Sequence, residues 1–166
     1  MSSFPSQLQP PPVALQVDAV DFAYGNGHPV FSHLNLHARQ GEFVAILGPS
    51  GCGKTTLLNL LSGFQKPQAG SLRVNGEVTR PELPALGYVF QSPQLFPWLS
   101  ALENVRFGLK VAGEKSLEQQ REHALHYLRL VGLEAAANRL PRQLSGGMQQ
   151  RVSLARTLAL EPKVLL

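Results

Sequence analysis

Gly48-Pro49-Ser50-Gly51-Cys52-Gly53-Lys54-Thr55 decides the fold of this chain. The octet fits G-x-x-x-x-G-K-[ST], in which glycines let successive backbone N–H groups turn inward around phosphate oxygens. An apolar run, Glu42-Phe43-Val44-Ala45-Ile46-Leu47, leads into it, and Leu57, Leu58, Leu60 and Leu61 follow at helical spacing. A continuous apolar run of this length is what a parallel strand covered on both faces requires. Strand, glycine-rich loop and helix thus follow in order, and the helix start adds its positive end to the loop amides. Lys54 would reach the β- and γ-phosphates as a point charge, the Thr55 hydroxyl would ligate Mg²⁺, and the nucleotide-binding set runs on to Thr56. Cys52 fills a variable position of the loop, and we assign it no redox role.

Outward from the loop, the 166 residues suit one globular domain, with 43% hydrophobic content, 15 Lys+Arg against 11 Asp+Glu and a net charge of +4. The cations are spread along the chain with no run of them, so a nucleic-acid partner is not expected. One cysteine excludes an intramolecular disulfide framework. No stretch reaches the roughly 18 apolar residues that a membrane-spanning helix needs. Residues 1–12, with Pro5, Pro10, Pro11 and Pro12 and no basic residue, read as a disordered tail rather than a secretory signal.

Residues 13–20 read as a strand, Gly25-Asn26-Gly27 as a turn, and residues 34–37 as a half-buried strand by their alternation. The helix after the loop should stop at Ser62-Gly63. Short strands are expected at 71–74 and 86–90, with a hairpin turn at Asn75-Gly76. Ser116-Leu117-Glu118-Gln119 has the spacing of a capping box, opening a helix with Leu117, Ala124, Leu125 and Leu128 on one face. A last helix should run from about 146 to 160 with Val152, Ala155 and Ala159 inward, and residues 163–166 should begin a strand. His123 and His126 have no third ligand near them and read as a solvated face, and His28, His33 and His37 attract the same reading.

The loop alone is shared by many nucleotide-binding proteins. Leu144-Ser145-Gly146-Gly147-Met148-Gln149-Gln150-Arg151 supplies a second motif, a Ser-Gly-Gly turn running straight into a helix, which is an N-cap and a second anion-binding helix start. The two motifs together resemble the ATP-binding subunits of ABC transporters, over nearly the whole of residues 13–166. The resemblance implies an α/β P-loop NTPase with an antiparallel β portion at the N-terminal side, a parallel core sheet and a helical subdomain at about 100–145. It implies ATP and Mg²⁺ as cofactors, with Tyr24 stacking on adenine and Gln91 as a second Mg²⁺ ligand at the end of Tyr88-Val89-Phe90-Gln91. It further implies head-to-tail pairing with a second ATPase subunit, whose ATP would be met by Leu144, Ser145, Gly146, Gly147 and Gln149.

Gln91-Ser92-Pro93-Gln94-Leu95-Phe96-Pro97-Trp98-Leu99 carries Pro-Trp shortly after the glutamine, and Glu103-Asn104-Val105 follows. This is similar to importers of nitrate, alkanesulfonates, taurine and related compounds. It implies transmembrane permease subunits contacted near Gln91, Phe96 and Trp98, a substrate-binding protein engaged indirectly, and a place at the cytoplasmic face of the plasma membrane. In that family an aspartate and a catalytic glutamate follow the strand in which residue 166 lies, so no catalytic acidic pair is expected within these residues and hydrolysis by them alone is not expected. The alternatives are a truncated, non-catalytic nucleotide-binding module, a nucleotide kinase, and a soluble ABC protein outside transport.

Overall fold

A computed structural model of the chain describes residues 10–25, 27–113 and 116–166. It divides into two compact units, residues 1–83 and 84–166.

The first unit is built on an antiparallel sheet. Strands β1 (Val13–Ala23), β2 (Pro29–Arg39), β3 (Ala69–Val74) and β4 (Glu77–Val78) lie in the order β2-β1-β3-β4. Both long strands outrun the expected 13–20 and 34–37, because β1 pairs on both edges along its length. Register shifts break the β1–β2 ladder between Val17 and Ala23, where Ala19 sits at φ 45. Side chains replace the lost ladder bonds there: Asn35 Oδ1 accepts from the Ala19 N–H at 2.9 Å and Asp21 Oδ1 from the His33 N–H at 2.6 Å. Asn75 and Gly76 turn β3 into β4 with φ 48 and 83, the two positive values that a two-residue hairpin of matching twist demands. Helix α1 (Lys54–Leu61) lies beside β3, with Leu57, Leu60 and Leu61 buried, as are Val17, Val20, Leu72 and Val74 of the sheet.

Residues 42–47 do not form the expected buried strand. They have no regular secondary structure, Phe43 is 94% and Leu47 89% exposed, and Val44 and Ile46 are exposed with them. A strand exists only through hydrogen bonds to a neighbouring strand, and among the described residues the run's backbone makes only the local turn bond from the Glu42 N–H to the Arg39 carbonyl at 3.1 Å. Its apolar character says that it favours cover and says nothing of where the cover comes from. The turn expected at 25–27 includes Asn26, and the tail expected at 1–12 includes residues 1–9, both outside the described residues. Of the remaining tail, the Pro11 carbonyl accepts from Arg39 Nη1 at 3.0 Å and that of Pro12 from the Gln40 N–H at 3.0 Å.

The second unit is mainly helical. A short parallel pair, β5 (Leu86–Gly87) with β6 (Val164–Leu165), is the parallel part of the described residues, and the Val89 N–H extends it to the Leu166 carbonyl. The strand expected at 86–90 is therefore only partly regular. Helices α2 (Ala101–Ala112), α3 (Leu117–Leu130) and α4 (Gly146–Leu158) close around Val105, Ala124, Leu128, Val152 and Ala155, all fully buried. Helix α4, expected at about 146–160, shares this core through Val152, Ala155 and Ala159.

Capping boxes open α2 at Ser100 with Glu103 and α3 at Ser116 with Gln119. The Ser100 N–H and hydroxyl both donate to the Glu103 carboxylate at 3.0 Å, and these bonds, the backbone one first, hold its pKa below the ordinary glutamate range. A carboxylate with a depressed folded-state pKa stabilises the fold above its unfolded-state pKa and loses that contribution as pH falls through the folded value. We therefore expect the Ser100 amide shift to titrate with a midpoint below the ordinary glutamate range, and Glu103→Gln to abolish the titration. A midpoint within the ordinary range would contradict the box.

His123 departs from the expected solvated face. Its Nε2 lies 3.0 Å from the Ala159 carbonyl at the end of α4 and 3.6 Å from Glu161 Oε1, and its ring meets Tyr127 edge-on. An imidazole can serve helix-terminal carbonyls, which sequence spacing within α3 does not show.

Candidate phosphate-binding loop and helix-start site

In the first unit, residues 48–52 form an exposed loop that ends on Gly53, the N-cap of α1, at φ 99. Glycine is required there twice over. The left-handed backbone disfavours any Cβ, and one placed there would come within 2.9 Å of Val30 Cγ1 and 3.0 Å of Phe31 Cζ on β2. A glycine N-cap brings no side-chain acceptor, and the first turn of α1 has no acidic residue. The leading amides of the helix are thus left to an outside acceptor, and an anion satisfies both them and the helix dipole.

Lys54 Nζ bends back over the loop and donates to the Gly48 and Pro49 carbonyls at 2.8 and 2.7 Å, with Cys52 Sγ at 3.7 Å. The ammonium is in place at the loop rim. Thr55 is exposed at the second helical position, so its hydroxyl fits an oxygen-ligated cation such as Mg²⁺. Thr56 is buried, and its hydroxyl lies 3.2 Å from that of Tyr24. Tyr24 stands edge-on to Phe22 at 4.9 Å and is 52% exposed, so a ring tethered to the loop helix keeps an open face.

In the second unit, Ser145 is the N-cap of α4 and accepts from the Met148 N–H at 3.3 Å. Ser145, Gly146 and Gly147 are exposed, and a Cβ on either glycine would meet nothing within 4 Å. This helix start is open to a large approaching group. Leu144 and Gln149 face the other way: Leu144 is buried in the helical core, and the Gln149 amide donates to the Pro141 and Leu144 carbonyls at 2.9 and 3.2 Å. Those two residues shape the turn; the serine and glycines present it.

Gln91 is exposed at a bend. The segment after it is held by a residue whose role the sequence did not show. Asn104 is fully buried on α2; its Oδ1 accepts from the Phe96 N–H at 2.8 Å, and its Nδ2 donates to the carbonyls of Phe96, Leu99 and Ser100 at 3.2, 3.0 and 3.0 Å. A polar residue on the face that Ala101, Leu102, Val105 and Leu109 bury was the available signal. Trp98 is 71% exposed, whereas Phe96 is half-buried with its ring 4.5 Å from Phe107 and 5.7 Å from Trp98. Arg156 of α4 donates from Nη1 to the Gln94 carbonyl at 2.5 Å and sets its guanidinium 6.0 Å from the Phe96 ring centre, and burial pushes its pKa down.

A phosphate-type loop on α1 and a serine-glycine helix start on α4 define a nucleotide-binding class, and comparison with known proteins places the chain within it. Residues 31–166 match the sequence profile described as ABC transporter. The chain belongs to that family. It is 46% identical over 152 residues to the taurine import ATP-binding protein TauB of Escherichia coli O157:H7, covering 92% of this chain and 59% of that protein. It is also 46% identical over 134 residues to the nitrate import ATP-binding protein NrtD of Synechococcus elongatus, covering 80% and 49%. The chain spans about half the length of the curated relatives it matches. Among solved structures, an ATP-binding cassette determined as a dimer in a post-hydrolysis state with ADP and Pi superposes with a TM-score of 0.79 at 37% identity, over 91% of this chain and 72% of that one. The fold is that of an ABC-type P-loop NTPase.

Proposed function

We propose that this chain is the nucleotide-binding part of the ATP-binding subunit of an ABC importer, coupling ATP binding and hydrolysis to the uptake of a small anion such as nitrate, a sulfonate or taurine. The observation that carries the reading is the loop at 48–55, where an uncapped helix start, a glycine in the left-handed region and the Lys54 ammonium converge. The polyphosphate takes the α1 amides and the ammonium, Thr55 supplies an oxygen to Mg²⁺, and Tyr24 offers its open face to adenine. Names of relatives that import taurine and nitrate support the anion class.

The second unit supplies contacts to other subunits. Ser145, Gly146 and Gly147 meet the γ-phosphate held by the loop of a paired subunit, so ATP joins two copies head to tail. Trp98, Phe96 and Phe107 form the apolar surface against a transmembrane permease, which a substrate-binding protein engages from the far side. No described helix is long and apolar enough to cross a membrane, and we place the subunit peripherally at the cytoplasmic face. Nucleic acid has no part in this reading.

The test is ATP-driven pairing. Sedimentation velocity should show Mg·ATP shifting the chain toward a dimer, and Ser145→Arg, which fills the open helix start, should abolish the shift while leaving nucleotide affinity within a factor of about two. A sedimentation profile indifferent to ATP would overturn the reading.

A further inference from the structure

Helix α4 carries at its start the serine that this reading aims at a nucleotide, and farther along it three side chains reach one segment. Gln150 Nε2 donates to the Phe90 carbonyl at 2.9 Å, Thr157 Oγ1 lies 3.4 Å from the Tyr88 carbonyl, and Arg156 Nη1 donates to the Gln94 carbonyl at 2.5 Å. The arginine is the one that matters most. Half-buried and with no carboxylate partner among the described residues, its charge is met by a carbonyl and by the face of Phe96. A guanidinium fits that position, since its planar fork can donate to a carbonyl while the delocalised charge lies over the ring, and an ammonium offers neither the fork nor a flat face.

We propose that Arg156 is a positioning residue that latches the Gln94-to-Trp98 segment onto α4, so that the surface offered to the permease is held by the helix that begins at Ser145. The proposal rests on the importer reading for what the segment touches, but not for the latch itself. Two clamps hold the segment from opposite ends: Asn104 of α2 fixes the backbone from Phe96 to Ser100, and Arg156 fixes the Gln94 carbonyl and the Phe96 ring. Phe96 in turn packs on Phe107 and Trp98, so releasing the guanidinium frees the ring that backs the exposed indole.

The chain has a single tryptophan, so its emission reports this segment alone. Arg156→Met keeps the apolar stem and removes the donors and the charge, and Arg156→Lys restores the charge without the fork. With helix content checked by circular dichroism, time-resolved anisotropy should show the fast local component of Trp98 roughly doubled in amplitude for Arg156→Met and intermediate for Arg156→Lys. Equal anisotropy in the wild type and both variants overturns the latch. Wild-type anisotropy in Arg156→Lys, with loss only in Arg156→Met, also overturns the latch as drawn, since charge alone would then hold the segment and the fork would have no part. Association of the full subunit with its permease in vesicles separates the two claims: a latch that releases Trp98 while neither Arg156→Met nor Trp98→Ala weakens association leaves the local inference standing and removes the docking reading.

Discussion

Replacing Lys54 by alanine is expected to weaken Mg·ATP binding about ten- to a hundredfold, the ~1.5–3 kcal/mol that a hydrogen bond to a charged group contributes. The effect has two parts. One is the lost attraction between the ammonium and the β- and γ-phosphates. The other is the lost tie between Nζ and the Gly48 and Pro49 carbonyls, which holds the loop near the shape that an anion needs. Thermal stability should change little, because the loop is exposed and its bonds compete with water. Lys54→Arg should not rescue affinity, since a wide planar fork replaces a compact point charge. Titration calorimetry with ATP measures both variants, and an unchanged affinity for Lys54→Ala would remove the loop from the binding site.

Asn104→Ala is expected to cost the second unit about 3 kcal/mol or more. The substitution strands the Phe96 N–H and removes the donor that three carbonyls share, and each buried group left unpaired costs on the order of 1–3 kcal/mol. For a unit of this size that corresponds to a fall in Tm of the order of 15 °C. Asn104→Asp should be at least as damaging at neutral pH, since it keeps the acceptor for Phe96, removes both N–H donors and buries a charge among carbonyls. Melting followed by circular dichroism and by Trp98 emission gives the two readouts. A shift below a few degrees would show that the segment finds other partners.

The same residues show how far the sequence reaches. The loop at 48–55 was legible because its chemistry needs particular residue types at fixed spacing, and Gly53 has the backbone and the close neighbours that exclude other residues. Asn75-Gly76 and the Ser116 capping box were legible for the same reason, being local codes read over two to four positions. Ser100 and Glu103 form the same box and could have been read from the same spacing. Long-range partners carried no such signal: Asn104 reaches back eight residues, His123 reaches Ala159 and Arg156 reaches Gln94. The apolar run at 42–47 misled in the opposite sense. Its composition reported a preference for cover, and only a neighbour's hydrogen bonds turn such a preference into a strand.

That run has a bearing on handling the chain. Residues 42–47 combine β-branched and aromatic side chains with one charge and no proline, and they lie exposed. Such a segment is a template for cross-β stacking between copies, where identical side chains interdigitate and each backbone finds its partner in the next molecule. The net charge of +4 offers little protection, because no cation lies within the run. Precipitation of the isolated chain would start here, and a lysine in place of Ala45 is the gatekeeper that breaks the stack.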